Sequence, residues 1–350
     1  MSARISRHRL LWLLPVAVAG VFTLLASSTF EDKPPDETTT VDWVLGSLAA
    51  PLVRDRGDRT ATITNLRLAG SYNATTGDDL TLDRDRTPID DTSGFDMEIV
   101  ADDPGDDHAL SGSLQLRVLA ELNFGLNEDP TTGQFSIVVD GTTTLVTAQT
   151  NPNVAVVETG GGSARNLDWG AFRDAADDDQ ADDDLRLASE AFNTISEIVK
   201  LARLGESLIS ETEDNRDTLE NMGLDQPLDV ACDNGGAVGQ GQGESVLIWR
   251  IDAAGSDEGN IGNGDSLEAR FGNCFNTGID RFLDGTIVMD NYEPPRGDAP
   301  RTLGLDLDFA TFFFSENEVT ITTVPDAASP RVDGGLGLSY DESLVTTTPP

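Results

Sequence analysis

Apolar and polar residues alternate with a period of two through the first half of the chain. This is the pattern of β-strands with one buried face. The alternating runs are 59–71, 94–102, 110–124 and 134–149, and clusters of Asp, Gly and Pro separate them. Short runs at regular spacing with turn residues between them predict an antiparallel arrangement of strands.

The same period returns in the last third of the chain. In 302–314, "TLGLDLDFATFFF", Asp306 and Asp308 alternate with apolar residues on the opposite face. The predicted strands of this half are 228–232, 245–252, 266–274, 282–291, 302–314, 317–324 and 331–340. The fold class is therefore predicted as mainly β: an antiparallel meander forming a curved sheet, an open barrel or a sandwich, with a helical insert.

The helical insert is predicted where the period changes from two to three or four. The residues that recur at this spacing form one apolar face. They are Leu185, Ala188, Phe192, Ile195, Val199 and Ala202. The pattern predicts one long helix or two consecutive helices, about 182–204 and 206–221, with Gly223 ending the second. We expect the apolar face to pack against the sheet.

Three strand starts share a glycine after an apolar residue and one other residue. They read "LSGSLQLRV" from Leu110, "LDGTIVMD" from Leu283 and "VDGGLGLSY" from Val332. A glycine inside a strand is typical of a bulge or a bend, so we expect the sheet to turn at these positions.

The N-terminus has the layout of a secretory signal. Arg4, Arg7 and Arg9 precede an apolar run from Leu10 to Ala26, which small residues follow. Without cleavage the same run would remain as a single membrane anchor. Residues 42–53 are predicted to form a short helix. The predicted organisation is 1–28 signal peptide or anchor, 29–58 linker, 59–166 N-terminal β region, 167–225 helical insert, 226–342 C-terminal β region and 343–350 tail.

The charge of the chain is strongly negative. Lys and Arg number 23 against 62 Asp and Glu, a net charge of −39. Without residues 1–28, which hold three arginines, 20 basic residues remain and the net charge is −42. A surface rich in acid and poor in lysine fits a saline habitat, since salt screens its self-repulsion. It also excludes nucleic acid as a partner, because no basic patch neutralises phosphates.

The two cysteines, Cys232 and Cys274, are predicted to form a structural disulfide. The chain has no C-x-x-C pair, and an exported protein favours disulfide formation. Closing this loop stabilises a fold by roughly 4 kcal/mol in the chain-entropy model. The glycines between the cysteines match neither the P-loop nor the dinucleotide-binding pattern, so they predict a close approach of strands.

Calcium is the one cofactor that the sequence suggests. The acidic turn between the predicted strands 245–252 and 266–274 offers hard oxygen ligands at Asp257, Asn260, Asn263 and Asp265. No register of this turn satisfies the EF-hand pattern, and the same residue types are ordinary in long β-turns. The alternatives are a calcium site and a plain turn. For Trp169 and Trp249 the alternatives are stacking on a sugar and packing in the core.

One pattern resembles uncharacterised exported β-rich proteins of Gram-negative bacteria. It is C-x-x-G-G, G-D, F-x-x-C and G-T, over about 226–292. The matching positions are Cys232, Gly235, Gly236, Gly264, Asp265, Phe271, Cys274, Gly285 and Thr286. The resemblance implies a β-rich envelope protein and carries no activity.

The predicted function is an exported, non-enzymatic scaffold of the periplasm or cell surface that binds an unidentified ligand or envelope protein. No catalytic or cofactor-binding residue is assigned, and membrane contact is expected only through an uncleaved N-terminal segment. The alternative is a calcium-assisted carbohydrate-binding or adhesion module, or a glycoside hydrolase.

Overall fold

The computed structural model describes twelve stretches of the chain. They are 36–73, 80–86, 91–106, 109–124, 129–230, 232, 244–253, 259–276, 281–293, 302–315, 325 and 330–347. The predicted signal segment and the predicted strand 317–324 lie outside them. Contacts divide the chain into one unit of residues 38–345 and another of residues 1–37 and 346–350, of which only 36–37 and 346–347 are described.

The described part of the chain is mainly β, as the alternation predicts. The N-terminal strands are β1 (Asp36–Ser47), β2 (Leu52–Asp55), β3 (Arg59–Asn73), β4 (Thr81–Leu82), β5 (Asp85–Arg86), β6 (Asp91–Thr92), β7 (Gly94–Ala101), β8 (Gly112–Phe124), β9 (Pro130–Val139), β10 (Thr142–Thr150), β11 (Asn153–Thr159) and β12 (Arg165–Leu167). The C-terminal strands are β13 (Pro227–Val230), β14 (Glu244–Ile251), β15 (Asp265–Asn276), β16 (Arg281–Glu293), β17 (Thr302–Ser315) and β18 (Arg331–Thr347).

Sixteen of these strands form one continuous antiparallel sheet. Its order is β12-β11-β10-β9-β8-β4-β3-β1-β18-β17-β16-β15-β14-β13, with β7 between β3 and β8 and β2 between β3 and β18. Two meanders, β3 to β12 and β13 to β18, therefore meet at β1 and β2, and the first described strands pair with the last described strand. The two β regions expected from the sequence are halves of one sheet.

The helical insert runs from one edge strand of this sheet, β12, to the other, β13. It contains α1 (Trp169–Asp174), a 3₁₀ turn (Ala175–Asp177), α2 (Asp183–Asp214) and α3 (Arg216–Met222). The helix continues through Gly205 and breaks at Asn215, and α3 ends at Gly223, as predicted. A mid-helix glycine costs about 1 kcal/mol, which the burial of α2 at this point outweighs.

The sheet curves around α2, which is buried on more than its predicted face. Polar contacts join α2 to strands of both halves: Thr194 to Met97 of β7, and Ser207 to Asn276 of β15. Leu187 packs against Gly112 at the start of β8. The six predicted face residues are buried, and so are residues that lie off that face, including Arg186, Glu190 and Lys200. A curved sheet around a buried helix is one of the predicted arrangements.

The prediction of a short helix over 42–53 is wrong. Residues 36–47 and 52–55 are strands β1 and β2, which interrupts the predicted linker 29–58. Trp43 and Leu45 are buried at alternate positions, which is the period of a strand. The pairing of β1 and β2 with β3 therefore decides the conformation of a segment whose local composition is that of a linker.

Left-handed residues inside strands move the buried face by one position. In β17, Leu305, Leu307 and Phe309 are buried in the main core, and beyond Thr311 (φ 51°) the main core takes Phe312 and Phe314 instead. The register between β17 and β18 shifts at the same point. This is a β-bulge, which bends a strand and increases its twist.

The bulges share a hydrogen bond from the left-handed residue to an Asp of the neighbouring strand. The pairs are Asn65–Asp96, Asn273–Asp284, Asn291–Asp306 and Thr311–Asp333. Two of these Asp residues directly precede Gly285 (φ 108°) and Gly334 (φ 98°), which are two of the three glycines shared by the strand starts at Leu110, Leu283 and Val332. The predicted bulges are confirmed at these two glycines. The third, Gly112, instead leaves room for the side chain of Leu187.

Replacing Gly285 with Ala is expected to destabilise the fold by about 2 kcal/mol or more. A Cβ at this position would lie 2.2 Å from the carbonyl oxygen of Thr311, and φ is positive. Gly141→Ala is the matched control, because Gly141 also has a positive φ (82°) but no atom within 4 Å of the new Cβ. Urea unfolding measures both variants. Equal losses would show that backbone conformation alone, without the close approach of strands, accounts for Gly285.

Candidate functional site

Three arginines of the β2–β3 hairpin converge on one carboxylate of α2. Arg54, Arg56 and Arg59 all bond to Glu190, whose side chain has no exposed surface. Nη1 of Arg56 lies 2.9 Å from Oε2 of Glu190, and Nη2 of Arg59 lies 2.7 Å from the same oxygen. We call Arg54, Arg56, Arg59 and the carboxylates that contact them the arginine cluster.

Three further carboxylates complete the arginine cluster. Glu197, about two turns beyond Glu190 on α2, accepts a hydrogen bond from Arg54 at 2.7 Å. Asp177 accepts from Arg56 at 2.8 Å and from Arg59 at 2.5 Å, and Asp58 accepts from Arg59 at 2.6 Å. Three positive and four negative charges thus lie together where the hairpin meets the helix.

Electrostatics fix the charge states of the cluster. Burial alone would raise the pKa of Glu190, but the three surrounding guanidinium groups outweigh burial and lower this pKa to about 2. Burial alone would lower the pKa of Arg59, yet Glu190 and Asp177 raise it above its usual value. Glu190 and Arg59 therefore both carry their charges at neutral pH, and the ion pairs around Glu190 hold α2 against β2 and β3.

A second polar cluster joins the end of α2 and α3 to the acidic turn. Tyr292 of β16 donates a hydrogen bond to Glu213, which also accepts from Arg216 at 2.5 Å. Arg216 donates to the carbonyl of Ile261, and the Ile261 amide donates to Glu220 at 2.9 Å. Burial, followed by the bond to Glu213, raises the pKa of Tyr292 well above its usual value. The turn is thus fastened to the helices by its own backbone.

The predicted calcium ligands fall in different environments. Asp257 lies outside the described residues, and Asn260 and Asn263 are exposed. Asp265 is buried, and its carboxylate accepts hydrogen bonds from the Trp249 indole (3.0 Å), the Ala253 amide (2.8 Å) and the Gly262 amide (3.0 Å). Protein N–H groups therefore occupy both oxygens of Asp265. Within the described stretches, no three His, Cys, Asp or Glu side chains are grouped as a metal site requires.

Asp265→Asn is expected to destabilise the fold by roughly 2 kcal/mol, because an amide nitrogen would face an N–H donor in a buried place. The loss should be equal with calcium and with sodium chloride at the same ionic strength. Asn263→Ala, at an exposed position of the same turn, is the control and should change stability by less than about 0.5 kcal/mol. A loss that appears only when calcium is present would instead identify Asp265 as a ligand.

Both tryptophans singled out by the sequence are core residues. Trp169 and Trp249 are each 2% exposed. Trp169 stacks on Phe192 with ring centroids 5.1 Å apart, and Trp249 bonds to Asp265. Their indole faces are therefore not available for stacking on a sugar.

The cysteines lie as predicted. The sulfur atoms of Cys232 and Cys274 are at bonding distance, 2.11 Å, and the two Cα atoms are 5.4 Å apart. The strands expected beside them are confirmed: β13 pairs with β14, and β14 pairs with β15. A disulfide is consistent with an oxidising, exported location.

The arginine cluster was not predicted from the sequence. Its signal was present, because "VRDRGDRT" places three arginines within six residues of an acidic chain. Arg54 lies in β2 and Arg56 directly follows it, and side chains two apart in an extended chain point to the same side. Nothing in the sequence indicates that this face points inward to Glu190, 136 residues away.

The described residues contain no helix with an apolar run long enough to span a membrane. No protein-family model matches the chain, and a comparison with curated proteins finds no match. The class of the protein is defined by its fold and its two polar clusters. It is a mainly β protein whose curved antiparallel sheet encloses a helix fixed by buried charges.

Proposed function

We propose that this protein is an exported, non-enzymatic scaffold of the cell envelope, in the periplasm or on the cell surface, that binds a ligand or protein partner. One observation carries the proposal. The buried groups with strongly shifted pKa values, Glu190, Arg59 and Tyr292, are all bonded in ways that fix α2 within the sheet. Shifted pKa values also occur in catalytic sites, but here their causes are the contacts that assemble the fold.

Three features support export. The cysteines are at disulfide distance, which favours an oxidising compartment. The first 28 residues have the composition of a secretory signal. The net charge of −39 suits a protein that meets the external salt directly, since salt shortens the range of self-repulsion.

Expression of the full chain in a Gram-negative host, followed by fractionation, tests export. We expect the protein in the periplasm or medium, shortened by about 28 residues as expected for signal-peptide removal, with neither cysteine alkylated unless reductant is added. A chain that keeps its full length and both thiols in the cytoplasm would contradict the proposal. A full-length chain in the membrane fraction with oxidised cysteines would show an exported, anchored form.

Native mass spectrometry of the exported protein tests binding. We expect a mass excess from a retained ligand, or a complex with a second protein, that mild activation removes. The same measurement with added calcium, and with magnesium as the control, separates the calcium-assisted alternative. A calcium-specific mass increase with a matching rise in Tm would favour that alternative. The bare mass under all conditions, with no complex in the host's envelope fraction, would contradict the binding proposal.

A further inference from the structure

The sheet ends at β13, a short edge strand with few stabilising contacts. β13 has four residues, and its ladder with β14 runs from Pro227↔Ile248 to Val230↔Ser245. Its side chains alternate between exposed and half-buried, and only Leu228 and Val230 pack against the core. So short a strand, with β14 as its one neighbour among the described strands, opens readily unless something else holds it.

If β13 detached from the sheet, the edge of its neighbour β14 would be exposed to pairing with another chain. Residues 245–249 of β14 read "SVLIW", with no charge and no proline, between Glu244 and Arg250. Segments of this composition with an unpaired edge pair with other chains. Proteins commonly cover such edges, and in this protein β13 covers the edge of β14.

The disulfide holds β13 near its C-terminal end. Cys232 stands two residues beyond β13, and Cys274 lies in β15, on the other side of β14. Strands two positions apart in a sheet are separated by roughly 9–10 Å, whereas the Cα atoms of the two cysteines are 5.4 Å apart. Because Gly272 pairs with Glu244, the first residue of β14, the bond closes just past the start of that strand.

We propose that β13 is a strap, fastened by the Cys232–Cys274 disulfide, which covers the outer edge of β14 and prevents a second copy of the chain from pairing with it. The strap acts locally, at one end of the sheet. The opposite edge, β12, gives an internal comparison, because its ladder with β11 has three residue pairs and neither of the chain's two cysteines lies near it in sequence.

The double variant Cys232→Ala, Cys274→Ala tests the strap by hydrogen exchange. We expect amides of 228–230 and of 245–248 to exchange at least about tenfold faster than in the parent protein, with the β11–β12 ladder unchanged. We also expect the variant to form larger species in analytical ultracentrifugation as its concentration rises. Unchanged exchange in β13 and β14 would overturn the proposal. Faster exchange throughout the molecule would overturn it too, because the disulfide would then stabilise the whole fold.

Val246→Lys in the cysteine-free background tests whether β14 is the pairing edge. Val246 is half-buried and lies opposite Asp229 of β13, so a lysine there is tolerated when the strap is closed and blocks pairing between copies when it opens. We expect this third substitution to restore a monomer. If association persists, the edge of β14 is not the contact.

The unmodified protein gives an independent measurement. If the disulfide holds the strap, the amides of β13 should be more protected than those of β12, although in the described sheet both are short strands with one neighbour. Equal protection at the two edges would overturn the proposal without any substitution.

Discussion

Glu190→Gln is expected to lower the free energy of unfolding by about 3–5 kcal/mol, one of the two largest effects of any single substitution considered for this protein. Removing one partner from a buried set of charges leaves the others uncompensated, and losses of this size follow. Glutamine keeps the volume of the side chain but removes the charge that faces Arg54, Arg56 and Arg59. Urea is the suitable denaturant, because it unfolds the acidic chain without changing the ionic strength.

Asp58→Asn is the matched control for Glu190→Gln. Asp58 also contacts Arg59, but its side chain is 56% exposed. An ion pair in contact with water contributes little, so the loss should stay below about 1 kcal/mol. Equal losses for the two variants would mean that burial does not set the strength of the arginine cluster.

The effect of Glu190 should depend on pH in a defined direction. The pKa of Glu190 is lowered from 4.5 to about 2 in the folded protein, so its stabilisation is complete above pH 4.5 and is lost as the pH falls towards 2. The difference between the parent and Glu190→Gln, measured by urea unfolding at several pH values, should therefore shrink over this interval. A difference that stays constant from pH 6 to pH 2.5 would contradict this assignment.

Phe192→Ala is expected to lower the free energy of unfolding by about 3–5 kcal/mol through a different mechanism, loss of packing. The Phe192 ring is fully buried and lies 5.1 Å from Trp169, 5.6 Å from Phe135 and 5.6 Å from Phe172, with the Arg173 guanidinium over its face. Aromatic pairs contribute beyond their buried area. Urea unfolding gives the free energy.

Phe192→Leu is the control for this packing effect. Leucine refills much of the volume but none of the ring contacts, so the loss should be about 1–2 kcal/mol. If leucine and alanine cost the same, the aromatic contacts, rather than the cavity, dominate the stabilisation by Phe192.

Local patterns predicted the parts of the fold that local sequence controls. The strands that begin and end at turn residues, such as β14 and β15, lie within a residue or two of their expected places. The apolar repeat predicted α2, and Gly223 marked the end of α3. These features depend on period and on turn chemistry, both of which can be read from neighbouring residues.

What could not be predicted depends on partners distant in the chain. Residues 36–55 have linker-like composition, and they are strands only because β3 and β18 lie beside them. In β3, strict alternation would place Asn65 on the same face as Ile63, but the bulge at Asn65 turns Leu66 inward instead. The arginine cluster has the same origin, since its arginines and Glu190 are neighbours only after the sheet has wrapped around α2. Asp265 was singled out as a candidate calcium ligand, whereas its bonds to Trp249, Ala253 and Gly262 depend on the shape of the turn and could not be read from the sequence.

The pairing of β2 with β18 sets the order in which the chain can fold. Asp55 lies opposite Arg331, so the contact joins the start of the sheet to its last strand. Contacts between residues so far apart form slowly, because the intervening chain must first be ordered. The meander from β3 to β12 can assemble from local contacts, but the seam between the two halves must wait for residues 331–333 of β18. We therefore expect the closing of this seam, rather than the formation of either meander, to be the slow step of folding.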